Sequence, residues 1–363
     1  MHLENISISS NLGQYEVVFT EDNNVSIPSL DPENMMMVID RNVWDKYKSS
    51  ALINFVNHKK IILDVSEEMK TLHAVMNLYD EVMQYAPKKN MTLLSIGGGI
   101  TQDVTGFVAS TLYRGIRWVY VPTTVLAQAD SCIGSKTSLN YGNYKNLLGT
   151  FFPPRMVIIN TAFTDSLTTI DYFSGLGEVV KLHLLGEQHL LDELLLDLDA
   201  LMNRDQRALT SAIYRSLKIK KGYIEDDEFD GGKRNLLNYG HCFGHAIESA
   251  VQYAIPHGQA VVVGMMMANE VAMRRGEITP HNKQRLEQEL FNPLIKFEWE
   301  LINHIAPEKV VEAMGKDKKR TGSDLALILP SEKKGMNKIN DLKKEEALDV
   351  VRHYRDKDFK QMI

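Results

Sequence analysis

In the first half of the chain, short apolar runs alternate with stretches long enough to be helices, and that alternation leaves few folds open. The runs Tyr15–Phe19, Met35–Ile39, Lys60–Leu63 and Thr92–Ile96 have the length of strands. Between the last two lies Lys70–Tyr85 (KTLHAVMNLYDEVMQY), whose apolar residues recur with helical spacing. Strands separated by helices of this length are joined by crossovers, which predicts a parallel α/β sheet. Two more strands are expected at Trp118–Pro122 and Met156–Ile159, the latter the last of this domain. From about Asp165 the composition turns helical, and the final hundred residues read as charged helices of a bundle. The 363 residues therefore divide into an α/β domain, 1–164, and an all-α domain, 165–363.

Strand Thr92–Ile96 runs into Gly97-Gly98-Gly99 and then a helix, Gln102–Arg114. Glycines let a backbone approach a pyrophosphate, and a helix N-terminus offers N–H donors and positive partial charge. GGGxxxD is not the GxGxxG fingerprint, and a glycine triplet after a strand also serves as a tight turn. Asp103 fits a helix cap equally well, and Arg114 and Arg117 fit solvated charges. After Thr123-Thr124 comes a polar stretch, Asp130–Asn146 (DSCIGSKTSLNYGNYKN). Its Lys136, Lys145 and Asn146 suit a phosphorylated or multiply hydroxylated substrate. The same composition suits a solvated surface loop.

In the second half, Ser174–Leu185 (SGLGEVVKLHLL) places Glu178 and Lys181 on one helix face. That pair is either a salt bridge, worth roughly a few tenths of a kcal/mol, or a carboxylate and an amine serving a site. Lys220 and Lys221 end another helix before the acidic loop Glu225–Asp230. Leu236–Tyr253 has the pattern of one amphipathic helix, with His241 and His245 on the same face. His257 follows in a Pro-His-Gly break, where a loop could return it to that face. Imidazoles from a helix and the loop after it can bind a divalent metal if a carboxylate arrives from elsewhere. Two core histidines and one surface histidine fit the pattern as well. The methionines of Val261–Arg275 read as core packing.

A net charge of −6 argues against an electrostatic grip on nucleic acid or an anionic membrane. The only cysteines, Cys132 and Cys242, are too few for a disulfide framework and point to a reducing compartment. No apolar run reaches the eighteen or so residues of a membrane span, and the N-terminus lacks the basic start and apolar core of a signal peptide. A cytoplasmic protein is expected.

Six motifs in this order carry a resemblance: GGGITQDVTGFVAS, LYRGIRWVYVPTT, AQADSCIGSKTSLN, KNLLGTFFPP, GLGEVVK and RNLLNYGHCFGHAIE. From Ile96 to Gly264 the chain resembles the 3-dehydroquinate synthase family, within the NAD-dependent sugar phosphate cyclases. The resemblance implies an N-terminal nucleotide-binding domain and a C-terminal helical domain, with the active site between them. It implies a metal, usually zinc with cobalt as an alternative, on Glu178, His241 and His257, which reserves His245 for substrate. It places NAD against Gly97, Gly98, Gly99 and Asp103, against Thr123 and Thr124, and against the pairs Asp40/Asn42 and Glu67/Lys70. Substrate-side positions by the same resemblance are Asp130, Lys136, Lys145, Asn146, Lys181, Lys220, Arg234, Asn238 and His245. Arg114 matches an arginine lent across a homodimer interface to the substrate phosphate. Lys319, rather than Lys318, matches a phosphate-binding lysine.

The reaction so implied converts 3-deoxy-D-arabino-heptulosonate 7-phosphate to 3-dehydroquinate and phosphate. It proceeds by transient oxidation with NAD, β-elimination, reduction and an intramolecular aldol closure. Lys220, Arg234 and Asn238 match the set that grips the substrate carboxylate, which favours this substrate. The alternatives are closure of another sugar phosphate, such as sedoheptulose 7-phosphate or glucose 6-phosphate, and a metal-dependent polyol dehydrogenase. Three positions depart from the family pattern. GGK reads Gly134-Ser135-Lys136, HGE reads His257-Gly258-Gln259, and an aspartate common after the last strand is Asn160. Gln259 keeps hydrogen bonding but removes a charge two residues from an expected metal ligand.

Overall fold

A computed structural model of the chain describes residues 3–20, 31–142, 144–315 and 324–357. The first part runs β1 (Ile6–Ile8), β2 (Tyr15–Phe19), β3 (Met35–Asp40), α1 (Arg41–Tyr47), β4 (Lys60–Leu63), α2 (Leu72–Gln84), β5 (Thr92–Gly97), α3 (Gly99–Thr111), β6 (Arg117–Pro122), β7 (Lys136–Tyr141), β8 (Tyr144–Phe151) and β9 (Met156–Ile159). Then follow α4 (Thr169–Leu185), α5 (Gln188–Met202), α6 (Gln206–Asp226), α7 (His241–Ala250), α8 (His257–Arg274), α9 (Pro280–Leu286), α10 (Glu300–Asn303), α11 (Pro307–Gly315), β10 (Leu325–Ser331), β11 (Gly335–Leu342) and α12 (Lys344–Arg355). Two compact units result: Met1–Leu167 with Asp199–Phe229, and Thr168–Leu198 with Asp230–Ile363.

The first unit is built on a seven-stranded sheet in the order β1-β2-β9-β6-β5-β3-β4. All pairs are parallel except the edge pair β1–β2. The central strands β3 (MMMVID) and β5 (TLLSIG) are apolar almost throughout and buried on both faces, as strands covered on two sides must be. Met37, Ile39, Leu94, Ile96, Val121 and Ile158 pack with Trp44, Phe55 and Phe163 in one core cluster. Each such side chain contributes about 1.5–3 kcal/mol on full burial. From β3 the chain steps to β4 on one side and returns to β5 on the other. The sheet therefore has a switch point at the carboxyl ends of β3 and β5, where open α/β sheets bind ligands.

Three local differences from the sequence reading matter here. The polar stretch Asp130–Asn146 is not a loop: after a single π-helical turn, Ala127–Ser131, it becomes the antiparallel hairpin β7–β8. The buried positions of β7 are one polar and one apolar residue, Thr137 and Leu139, and β8 has no fully buried residue, which hid the strand pattern. Gly149 sits across from Ser138, where a Cβ would come within 2.1 Å of the Thr137 carbonyl oxygen. Helix α3 ends at Thr111, because Tyr113 and Arg114 turn to φ of 52° and 63°. Residues 199–229, assigned to the helical half by a single division at 164/165, lie in the first unit. There α6 packs on the π turn and on β1, and its end is tied to the N-terminal segment by Glu225 and Glu228, which accept from Ser9 N and Asn11 N, each at 2.7 Å.

The second unit is helical, with one antiparallel hairpin, β10–β11, inside the region expected to be all helix. LALILPS is a strand-like apolar run, and Gly335 at φ +70° turns the chain. The helix expected over Leu236–Tyr253 is interrupted. A 3₁₀ segment, Lys233–Asn238, gives way at Gly240, whose φ is +78°, and α7 begins only at His241. A Cβ on Gly240 would meet Met265 Cγ at 2.6 Å and the Val261 carbonyl oxygen at 2.7 Å, so α8 passes close to the backbone there. His257 is not in a loop. It is the first residue of α8, with Pro256 at the N-cap.

Candidate nucleotide and metal sites

In the first unit the expected cofactor residues collect at the carboxyl ends of four neighbouring strands. Asp40 ends β3, Gly97 ends β5, Thr123 follows β6, and Glu67 opens a 3₁₀ turn shortly after β4. Asp40 caps α1 by accepting from Asn42 N at 2.7 Å, and burial raises its carboxyl above the ordinary range against those bonds. Gly98 is the N-cap of α3 and, as glycine, makes no side-chain cap bond to the N–H groups there. A Cβ on Gly97 would fall 2.4 Å from Thr101 Oγ1, and one on Gly98 3.2 Å from Thr124 Cγ2. The glycine turn is thus as close to its own helix and to Thr124 as backbone allows. Thr123 N donates to the Gly97 carbonyl at 3.0 Å, joining the two strand ends.

Asp103 does not cap its helix. Its two oxygens accept from Ser138 N at 2.8 Å and Ser138 Oγ at 3.0 Å, and Lys70 Nζ pairs with it at 2.5 Å. Burial pushes this carboxyl up against the pull of Lys70 and Ser138. Lys70 also donates to Asn146 Oδ1 at 2.6 Å, Asn140 Nδ2 donates to Glu67 Oε1 at 2.8 Å, and Asn146 N donates to Asn140 Oδ1 at 2.9 Å. Lys145 Nζ is 3.8 Å from Glu67. Glu67, Lys70 and Asp103, expected on the cofactor side, therefore share one network with Lys145 and Asn146, expected on the substrate side. Ser138 and Asn140, which hold it together, were not singled out by sequence, because a polar residue in a polar hairpin carries no signal until its partner is known.

Asp130, in the π turn, is ion-paired with the buried Lys220 of α6, which also donates to the Asp130 carbonyl at 2.6 Å. Lys136 and Arg114 are exposed. Ser135, where the family pattern has glycine, is buried at φ +65°. Asn160 caps the following 3₁₀ turn, accepting from Ala162 N at 3.0 Å, a role an aspartate would fill equally.

In the second unit four side chains converge. Glu178 and Lys181, one turn apart on α4, are ion-paired through Glu178 Oε2, with side chains 1% and 2% exposed. Glu178 Oε1 lies 3.4 Å from His257 Nε2 and 3.7 Å from His241 Nε2. Ligand atoms of His241, His245 and His257 lie within 4.8 Å of one another. His241 Nδ1 faces the Tyr239 carbonyl at 3.1 Å, and His257 Nδ1 faces Glu248 Oε2 at 3.1 Å. A ring that donates from Nδ1 leaves a lone pair on Nε2, so both rings are set to offer Nε2 beside the same carboxylate oxygen. That donor set fits a divalent metal ion. Burial, with Lys181 and the neighbouring rings, holds the His241 imidazole well below its ordinary range. For His257, burial opposes the charge, but the carboxylates of Glu178 and Glu248 outweigh it and raise the imidazole. Glu248 was not anticipated from sequence.

Arg234 is buried in the 3₁₀ segment, and Asn238 Nδ2 donates to the Asn235 carbonyl at 2.9 Å. Gln259, fully buried, points away from the histidines toward the chain near α10: Nε2 donates to the Leu294 carbonyl at 3.0 Å, and Oε1 accepts from Lys296 N at 2.8 Å. It is a clamp that needs one donor and one acceptor. Lys318 and Lys319 lie outside the described residues. Among the described residues, no helix is long and apolar enough to cross a membrane.

Comparison with known proteins agrees along most of the chain. The family described as 3-dehydroquinate synthase N-terminal matches residues 60–174, and 3-dehydroquinate synthase C-terminal matches residues 175–320. The 3-dehydroquinate synthase of Nitrosospira multiformis is 35% identical over 306 residues, covering 83% of this chain and 82% of the relative. A solved 2-deoxy-scyllo-inosose synthase, complexed with carbaglucose-6-phosphate, NAD+ and Co2+, has a TM-score of 0.82 and 25% identity, covering 96% of this chain and 99% of the other. The 2-epi-5-epi-valiolone synthase ValA from Streptomyces hygroscopicus subsp. jinggangensis 5008, with NAD+ and Zn2+ bound, shares the fold at a TM-score of 0.84 and 22% identity, covering 99% and 100%.

Proposed function

Because the chain belongs to the 3-dehydroquinate synthase family, we propose that it converts 3-deoxy-D-arabino-heptulosonate 7-phosphate to 3-dehydroquinate and phosphate. The observation that carries this is the convergence of Glu178, His241 and His257 with Lys181 beside them, in a chain similar to these synthases over 83% of its length. NAD is assigned to the strand ends Asp40, Asn42, Glu67, Lys70, Gly97, Gly98, Gly99, Asp103, Thr123 and Thr124. A divalent metal, zinc by preference and cobalt as substitute, is assigned to Glu178, His241 and His257. NAD supplies a hydride acceptor that is regenerated within the cycle, and the metal supplies Lewis acidity toward an alcohol oxygen.

The chain's own groups bind, orient and exchange protons. Lys181, held by Glu178, presents an ammonium that can hydrogen-bond a substrate oxygen and steady developing negative charge. His245, the most exposed of the three histidines, is assigned to substrate, with which it can exchange a proton. Lys136, Asn146 and Lys319 are assigned to the phosphate, as is Arg114 from a second copy in a homodimer, and Lys145 is assigned to the substrate. Lys220, held by Asp130, and Arg234 with Asn238 are assigned to the carboxylate, for which a guanidinium offers a planar fork. Phosphate leaves by β-elimination, and its own oxygen takes the proton removed. With both thiols free, a cytoplasmic setting suits the chain.

The likeness to 2-deoxy-scyllo-inosose synthase at 25% identity supports a second reading, closure of another sugar phosphate. The test incubates purified protein, NAD and Zn2+ separately with the heptulosonate phosphate, sedoheptulose 7-phosphate and glucose 6-phosphate, following phosphate release and product mass. Phosphate from the heptulosonate, with a product of the mass of dehydroquinate, is expected. Release from another sugar phosphate alone would overturn the substrate, and net NADH from a polyol would overturn the reaction class.

A further inference from the structure

We infer that Glu248 is a positioning residue of the metal centre, one that fixes the His257 ring and strengthens it as a donor. This rests on the reading of Glu178, His241 and His257 as metal ligands. Glu248 lies seven residues after His241, two turns along α7, so the two side chains leave the same face. Its side chain is 9% exposed, and its Oε2 is 3.1 Å from His257 Nδ1. One helix therefore carries a ligand and the carboxylate that orients another ligand.

The chain between them is shaped to make this contact. Tyr253 N donates to the Glu248 carbonyl at 2.8 Å, folding the chain back over the end of α7. Gln252 and Tyr253 accept φ of 52° and 63°, two left-handed non-glycine residues in a row, before Pro256 takes the N-cap of α8. Both rings present Nε2 to Glu178 Oε1, but their supports differ. His241 leans on the neutral Tyr239 carbonyl, whereas His257 leans on a carboxylate. An ionised acceptor on Nδ1–H draws negative charge into the ring and makes Nε2 the stronger donor. With Lys181 engaged on Glu178, the second carboxylate also restores negative charge around a dication.

A plain structural tie would need only a hydrogen-bond acceptor at this position, and that difference is testable. The full-length protein and its Glu248→Gln and Glu248→Ala variants are stripped with a chelator. They are then titrated with Zn2+ against a chromophoric competitor, and with Co2+ followed by d–d absorption. Glu248→Gln keeps an acceptor and removes the charge, so zinc affinity should fall about tenfold with a shifted Co2+ spectrum, and Glu248→Ala should lose up to about a hundredfold. Wild-type zinc affinity and an unchanged Co2+ spectrum in Glu248→Gln would overturn the inference. Glu248→Gln is nearly isosteric, so the comparison survives a folding defect in Glu248→Ala. Glu178→Gln and His257→Ala run alongside. If those also bind zinc like wild type, the metal centre itself is misassigned, a failure distinct from that of Glu248 alone.

Discussion

Lys181 and Glu178 form an ion pair one helical turn apart, in which the lysine takes one carboxylate oxygen and leaves the other facing His241 and His257. Removing one member of so buried a pair leaves a charge without its partner, which typically costs about 3–5 kcal/mol. A bound dication would take over part of that role. Lys181→Met should therefore lower the melting temperature of chelator-treated protein sharply and of Zn2+-loaded protein much less, with turnover lost in both. Equal melting shifts with and without zinc, followed by calorimetry, would separate Lys181 from the metal.

Asp103 links the glycine-turn helix to Lys70 and to the hairpin through Ser138. Asp103→Asn keeps one acceptor and removes the charge that holds Lys70. Charge-assisted bonds of this kind are worth about 1.5–3 kcal/mol, so NAD affinity should fall roughly tenfold or more. Fluorescence titration with NAD measures this directly, and an unchanged dissociation constant would show that the network is only a scaffold.

Gln259 gives its amide N–H to the Leu294 carbonyl and accepts from Lys296 N through its own carbonyl. The substitution Gln259→Glu restores the glutamate usual in the family, but an ionised carboxylate has no hydrogen to give Leu294. One buried carbonyl then loses its donor, at a cost of about 1–3 kcal/mol. The loss should shrink in acid, where a carboxyl regains an O–H. Urea unfolding at pH 5 and pH 8 checks both the size and the pH trend, and a destabilisation that grows in acid would contradict it.

Burial pushes the Cys132 thiol from the ordinary 9.0 up to about 12. The folded chain thus holds this proton more tightly than the unfolded chain. The stability that follows is complete below about pH 9 and is lost as pH rises toward 12. Unfolding midpoints should fall between pH 8.5 and 10.5 in the wild type and fall less in Cys132→Ala. In the native protein at pH 8, a thiol reagent should reach Cys242 and spare Cys132 until urea is added.

Much of the first unit was legible because its strands announce themselves: β3 and β5 are apolar on both faces, and the glycines that end β5 punctuate the chain. The β7–β8 hairpin escaped because KTSLNY buries Thr137 as well as Leu139 and YKNLLGTF buries no residue fully, so neither strand carries an apolar alternation. The break at Gly240 escaped because it answers to Met265 and Val261 on another helix. The histidine cluster was visible as a spacing, but that spacing did not separate ligand from non-ligand, and it placed His257 on a loop. Glu248, Ser138 and Asn140 were invisible for one reason: each acts through a contact made by the fold, and nothing in its immediate neighbours marks it.

A Cβ on Gly258 would sit 1.8 Å from the Ser174 carbonyl oxygen, and one on Gly177 would sit 2.6 Å from the Gly258 carbonyl oxygen. Each glycine is next in sequence to a proposed ligand, Gly177 to Glu178 and Gly258 to His257. The separation of those two ligands is therefore set where two main chains touch with nothing in between. In a saturation screen for activity, two positions that offer no functional group should tolerate change as poorly as the ligands themselves, and alanine should be as harmful there as any larger residue.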